Sequence, residues 1–145
     1  MLQREKILEE LEKRMTLISG IQFVARNPEK QPSYNDLPCV SIFEMPDTVD
    51  EMSQRGGKPS YKRSFQIVLE VFISGSTATL ASKELMAFVK LVKVALHAAP
   101  YGLDKTCRGI REDQYGRVLR PGVGEHVIGI GLAITIFYVE DINKY

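Results

Sequence analysis

Two long stretches in which apolar residues alternate with other residues constrain the fold of this chain most strongly. In Tyr61–Ile73, the odd-numbered residues are apolar except for Arg63, and the residues between them are mostly polar or charged. In Glu125–Val139, isoleucine, leucine and tyrosine alternate with a second set of mostly small residues. Because side chains of a strand point to opposite faces in turn, both stretches predict β-strands with one buried face. The small second set predicts that a helix approaches the sheet closely there.

Two other segments have the period of an amphipathic helix. In Arg4–Met15, apolar residues recur on one face and charged residues occupy the other, and Gly20 is predicted to end this helix. A second apolar stripe follows Thr77 or Thr79, either of which can serve as its N-cap, and this helix is predicted to end before Pro100. The stripe consists of Leu85, Phe88, Val89, Val92 and Leu96.

Shorter strands complete the predicted sheet. Segments 21–26 and 39–44 have strand-like composition, and Pro38 is compatible with the start of the second one. Segments 106–112 and 115–120 predict two short strands or a hairpin about Asp113-Gln114. With the helices, these elements predict an α+β fold in which a mostly antiparallel four- to five-stranded sheet packs against two helices.

Residues 45–60 are predicted to form a long flexible loop. This segment contains two prolines, Gly56-Gly57 and mostly polar or charged side chains, so that it offers few apolar residues for burial. Loops longer than about 12–15 residues are uncommon in compact domains and are usually functional or disordered. No linker or repeat divides the rest of the chain, which predicts a single domain over residues 1–145.

Composition and charge exclude several classes of protein. Hydrophobic residues make up 44% and charged residues 26% of the chain, as in a folded domain rather than a disordered or fibrous one. The formal net charge of +1 gives no general attraction for nucleic acid or anionic lipid. Charged residues interrupt the apolar stretches before the roughly 20 residues that a membrane span needs, and the charged start does not fit a signal peptide. We therefore expect a cytoplasmic protein with no membrane partner and with reduced cysteines.

Few residues are available for catalysis or metal binding, and none has the spacing of a known site. Cys107 and His126 could form a thiolate–imidazole pair if their strands are neighbours. Because no third residue is in place to orient the histidine, we interpret them as a half-buried cysteine and a surface histidine. Gly122–Val127 resembles a dinucleotide-binding fingerprint but precedes a strand, which favours a turn. The sequence thus predicts no catalytic residue, no cofactor and no metal.

Clusters of charge are better candidates for a functional surface. Arginines are densest in segment 108–120, where they can contact nucleic acid phosphates, pair with acidic residues of a neighbouring subunit, or remain solvated. Acidic residues are grouped near the other end of the sequence, which suggests head-to-tail pairing of subunits. The candidate interface residues are Arg55, Lys58, Arg108, Arg111, Arg117, Arg120, Glu9, Glu10 and Glu12.

The order of the predicted elements and four segments of sequence carry a resemblance to a known family. The segments are the charged first helix, Asn35–Glu44 with its Leu37-Pro38 pair, Phe65–Ile73, and Ala133–Val139. In these segments the chain resembles the tail terminator proteins of long-tailed bacteriophages, the minor tail protein U-like family. The resemblance spans nearly the whole chain, except that residues 55–58 and the arginine cluster match no pattern of the family.

The resemblance implies a structural protein of phage or prophage assembly rather than an enzyme. Members of the family form a hexameric ring that caps the tail tube, ends tail polymerisation and provides the surface for head joining. The implied partners are other copies of the chain, the major tail tube protein and a head-completion or neck protein, with DNA contact only in the ring lumen. The implied location is the host cytoplasm during assembly and then the head–tail junction of the virion. The alternatives are another head–tail connector or tail completion protein, or a small nucleic-acid-binding module or enzyme that uses the arginines.

Overall fold

The protein is described by a computed structural model that covers residues 1–74, 78–116, 118 and 127–142, with the backbone alone described for Arg55 and residues 78–81. The helical segments are α1 (Gln3–Thr16), a 3₁₀ turn (Tyr34–Asp36), α2 (Ala78–Leu96) and the short α3 (Tyr101–Lys105). The strands are β1 (Phe23–Arg26), β2 (Cys39–Arg55), β3 (Lys58–Ser74), β4 (Gly109–Tyr115) and β5 (Val127–Asp141).

The five strands form one mixed sheet in the order β1-β2-β3-β5-β4. β1 and β2 are parallel, and the other neighbouring pairs are antiparallel. The predicted α+β fold with a mostly antiparallel sheet and two main helices is therefore confirmed.

The main core lies between one face of the sheet and the two long helices. The apolar stripe of α2 and the apolar face of α1 are buried against the alternating residues of β3 and β5. These strand residues are Phe65, Ile67, Leu69, Val71, Ile73, Ile128, Ile130, Leu132, Ile134, Ile136 and Tyr138. The period-two prediction for both strands is confirmed, because every second residue supplies this core.

The opposite face of the sheet is not covered by a helix in the described residues, contrary to the prediction made from the small residues of β5. Gly129 lies against the ring of Phe72, and a Cβ atom on Gly129 would come within 2.3 Å of that ring. The buried cluster on this face contains Leu37, Cys39, Phe72 and Val127, with no residue of α1 or α2. The expectation that small residues admit a helix is wrong, since a phenylalanine of the neighbouring strand occupies the space.

The prediction of a long flexible loop at 45–60 is also wrong. β2 continues to Arg55, and its last residue pairs with Lys58 of β3 across Gly56 and Gly57. Both glycines have positive φ, 62° and 81°, as a two-residue hairpin turn requires. The pairing of β2 with β3 is irregular between Glu44 and Asp47. Pro46, which has no backbone N–H to donate, lies in this irregular part of the strand.

Other predicted boundaries shift by a few residues. The helix predicted to stop at Gly20 already ends at Thr16, and Thr79 lies inside α2, whereas Thr77 is outside the described residues. The predicted hairpin about Asp113-Gln114 is wrong, because β4 is one strand with an irregularity between Glu112 and Gln114.

One helical stretch, Ser82–Lys105, has the length and apolar composition of a membrane span. It includes the break between α2 and α3, and its apolar stripe is buried on the sheet. Of its most apolar window, 28% is buried within the described residues.

Candidate interaction surfaces

The far end of the β2–β3 hairpin extends beyond the rest of the sheet, and we call residues 49–60 the arm. β1 pairs with β2 only as far as Ile42, and β5 pairs with β3 only from Ser60 onward. Within the described residues, most of the arm is therefore a two-stranded ribbon. Such a ribbon is only marginally stable in water without a third strand or a packed surface.

Two apolar side chains of the arm face solvent. Val49 is 49% exposed and Met52 is 56% exposed. The ion pair between Lys62 and Glu51 at the root of the arm is also exposed and contributes little stability. The arm thus presents apolar contact area and unpaired strand edges, both of which favour association with another surface.

The base of the arm is fixed to α1 by a partly buried group of ion pairs. The Arg4 guanidinium donates to Asp47 at 3.0 Å and to the Met45 carbonyl at 3.1 Å, and it lies over the ring of Phe65 at 4.2 Å. The Tyr138 hydroxyl also donates to Asp47, at 2.7 Å. Burial, together with the neighbouring Asp47 carboxylate, raises the pKa of Tyr138 well above its usual value, so this donor stays protonated.

A second part of this group connects β1 to α1 and β2. Arg26 donates to Glu5 at 2.7 Å and to Glu44 at 3.4 Å. The hydrogen bond from Arg26 lowers the pKa of Glu5. These contacts give the arm a defined direction at its base, although the arm itself has few contacts.

A basic cleft of about 660 Å³ opens beside the base of the arm, between the start of α1, the segment before β4 and the end of β5. Its cationic side chains, all exposed, are Lys6, Lys62, Lys105 and Arg108. The uncharged polar residues of its lining are Gln3, Ser53, Ser60 and Thr106. Asp141 is the acidic residue in this lining, so the cleft carries an excess of positive charge.

An apolar groove of about 390 Å³ lies at the other end of α1, between α1 and α2. Leu17, Leu91 and Val94 line it, and Leu17 is 74% exposed. The groove and the arm are at opposite ends of the molecule. Arg4 at the start of α1 contacts the base of the arm, whereas the segment after α1 meets the start of β2 through the Gln22–Pro38 hydrogen bond.

The arginines that the sequence groups together do not form one patch. Arg108 is exposed in the basic cleft, whereas Arg111 donates to Asp113 at 2.8 Å and lies over the ring of Phe137 on the helix-free face. The hydrogen bonds from Thr135 and Arg111 lower the pKa of Asp113. The remaining two members, Arg117 and Arg120, are outside the described residues.

The other candidate interface residues have mixed surroundings. Glu9 and Lys58 are exposed. Glu10 accepts a hydrogen bond from Arg14 at 3.1 Å, and Glu12 is half-buried. Arg55 ends β2 at the tip of the arm, and its side chain is outside the description. Glu10 therefore has an internal role, and Glu9 and Lys58 remain the better candidates.

The Cys107 thiol is half-buried in the lining of the basic cleft. Burial raises its pKa to about 11, so the thiol is protonated at neutral pH and is a poor nucleophile. The proposed partner of this thiol, His126, lies outside the described residues. In the described part of the chain, no three histidine, cysteine, aspartate or glutamate side chains are placed to hold a metal ion.

Two structurally important arginines were absent from the sequence-based candidates. Arg14 is 7% exposed and donates to backbone carbonyls at the end of α2, and Arg63 donates to Glu140 at 3.2 Å. Arg63 had a visible signal, because it occupies a position on the otherwise apolar face of β3. Arg14 follows Leu11 by three residues, so that it lies on the apolar side of α1 and not on the charged face predicted for it. An arginine at such a position indicates a buried polar contact.

Comparisons with known proteins assign this chain to no family. No family model matches the chain, and no curated protein matches it. Among solved structures, a chain from "Virion of native gene transfer agent (GTA) particle" aligns over 92% of this chain and 91% of that chain, with 17% sequence identity and a TM-score of 0.42.

Proposed function

We propose that this chain is a structural assembly protein of a tailed bacteriophage or prophage, and that it acts as a tail terminator. Six copies form a ring that caps the tail tube, ends its polymerisation and offers the surface to which the head joins. The partners are other copies of the chain, the major tail tube protein and a head-completion or neck protein. The chain acts in the host cytoplasm during assembly and remains at the head–tail junction of the virion. Its action needs neither catalysis nor a cofactor.

The observation that carries this proposal is the arm. Its ribbon is marginal by itself, and it presents Val49 and Met52 to solvent. The apolar groove at the opposite end of the molecule offers a surface of matching character around Leu17. A contact between the arm of one copy and the groove of the next is heterologous, and repetition of such a contact closes a ring when the rotation allows it. The resemblance of the sequence to tail terminators supports the identity of this ring.

Mass in solution tests the ring. We expect the purified chain to form, in a concentration-dependent way, a species of about six times its monomer mass of 16.3 kDa. Met52→Lys should prevent this association, because it places a charge in the apolar contact. Met86→Lys is the matched control, since Met86 is also an exposed methionine, 41% exposed, but lies on α2 away from both surfaces. A chain that stays monomeric at every concentration, alone and with tail tube protein, would contradict the ring.

Tube length tests termination. The chain should be added to the purified tail tube protein encoded nearest to it while that protein polymerises, and the tubes measured by electron microscopy. We expect shorter tubes with a ring at one end for the wild type and the Met86→Lys control. Met52→Lys should leave the tubes as long as those formed without the chain. Unchanged tube lengths with an assembled wild-type ring would refute the terminator role and leave a connector role.

A further inference from the structure

The floor of the basic cleft is an open strand edge. β4 starts its pairing with β5 at Phe137, where the Arg108 amide donates to the Phe137 carbonyl at 2.7 Å. Alternate residues of an antiparallel strand direct both backbone groups to the same side. The amide and carbonyl of Val139 are therefore directed to the side where β4 would continue, and Val139 lines the cleft. No strand of the described residues pairs with this part of the edge.

The walls of the cleft are positively charged and preformed. Lys6 comes from α1, Lys105 and Arg108 come from the segment before β4, and Lys62 comes from the base of the arm. Gln3 of α1 donates to the Thr106 carbonyl and thereby connects the first wall to the second.

The second wall follows α3, which is a left-handed turn and not a regular α-helix. Leu103, Asp104 and Lys105 have φ values of 48°, 56° and 62°, in the left-handed region that costs about 1–2 kcal/mol for each such residue. Leu103 is fully buried, and its carbonyl accepts the Thr106 hydroxyl at 2.6 Å. Residues held in such a conformation by their surroundings cluster at binding sites.

We propose that the basic cleft binds an extended acidic segment of a different protein, which adds to the edge of β5 at Val139 as a short strand. Main-chain hydrogen bonds to Val139 supply the pairing, and the lysines and Arg108 select acidic side chains. One residue of an extended peptide placed opposite Val139 can pair with both of its backbone groups.

The edge favours a peptide over nucleic acid. Val139 presents an amide donor and a carbonyl acceptor, and an extended peptide has partners for both. A phosphate oxygen only accepts hydrogen bonds, so it would leave the carbonyl unpaired. Among the described residues, no aromatic side chain lines the cleft, although single-stranded nucleic acid sites commonly use aromatic rings to stack bases.

A titration of the isotope-labelled full chain with a capped hexapeptide of alternating glutamate and valine tests this proposal. We expect the amide resonance of Val139 to shift and its hydrogen exchange to slow when the peptide binds. Lys6→Glu/Arg108→Glu should weaken binding at least about tenfold, because two favourable charges become repulsive. Lys83→Glu/Lys90→Glu changes the net charge equally on exposed positions of α2, and it should change affinity less than about twofold.

A second peptide keeps the test independent of any variant. The same hexapeptide with N-methylated alternate amides retains its charges but cannot pair as a strand, and it should bind wild type at least about tenfold more weakly. Equal binding of the two peptides would overturn strand addition. Binding of a duplex of about 20 base pairs at Val139 without binding of the peptide would overturn the choice of ligand. Binding of neither ligand would overturn the proposal, and the lysines would then act only against unwanted pairing of the strand edge.

Discussion

At the scale of single residues, the helix-free face of the sheet is the least tolerant of change. A Cβ atom on Gly129 would overlap the Phe72 ring, which is 2% exposed and has little space to move. We expect Gly129→Ala to lower the free energy of unfolding by about 1–3 kcal/mol, measured by urea denaturation. Gly131→Ala is the control on the same strand, because its added Cβ would lie 3.4 Å from Val68 in ordinary contact. Equal stabilities of the two variants would contradict this packing.

Glu70 on the same face makes stability depend on pH. Burial raises the pKa of this carboxyl above its usual value of 4.5. Because the folded state favours the protonated form, the contribution of Glu70 to the free energy of unfolding falls as the pH rises from below its unfolded pKa toward neutrality. We expect Glu70→Gln to be more stable than wild type at about pH 7, with a gap that shrinks at about pH 3.5. A gap that stays the same at both pH values would show that ionisation of Glu70 is not its cause.

At the scale of elements, one arginine joins the two long helices. Arg14 of α1 donates to the carbonyls of Ala95, Ala98 and Pro100, at 3.3, 2.6 and 2.7 Å. It thereby satisfies backbone groups at the end of α2 and places a positive charge at the negative end of that helix. We expect Arg14→Met to lower the free energy of unfolding by about 2–4 kcal/mol, since these carbonyls lose their donor. The exposed neighbour Lys13 provides the control: Lys13→Met should stay within about 0.5 kcal/mol of wild type.

The elements that the sequence predicts well are those whose side chains are buried. β3 and β5 alternate because one face supplies the core, and the stripe of α2 recurs because it packs on that face. The arm was not predicted because its pairing buries few apolar side chains and uses backbone hydrogen bonds, which leave no hydropathy pattern in the sequence.

The position of a charged residue in the sequence also does not predict its ion-pair partner. Arg111 pairs within its own strand, while Arg108, three residues earlier, faces the basic cleft. Which charges are internal depends on the tertiary fold, and so the interface residues could not be separated from sequence alone.

At the scale of the whole molecule, much of the charge is already used inside the chain. The pairs around Arg4, Arg26 and Arg63 hold the sheet, α1 and the arm together. Among the candidate interface residues, Lys58 and Glu9 are exposed and form no ion pair within the described residues. Lys58 lies at the tip of the arm, and Glu9 lies on α1 one turn before Lys13 of the apolar groove. An arm that enters the groove of the next copy would bring these two charges together.

This arrangement predicts that a charge swap between the arm and α1 restores what each single reversal removes. Lys58→Glu and Glu9→Lys should each weaken self-association, because each puts two like charges at the same contact. The double variant Lys58→Glu/Glu9→Lys should assemble as wild type does, since the pair is reformed with its signs exchanged.

One exposed pair contributes only about 0–1 kcal/mol, but a closed ring repeats it at every contact, so sedimentation at low salt should resolve the loss of self-association. The difference between single variants and wild type should shrink as ionic strength rises. If the double variant associates as poorly as the single ones, Lys58 and Glu9 do not meet, and the arm contacts another surface of the neighbouring copy.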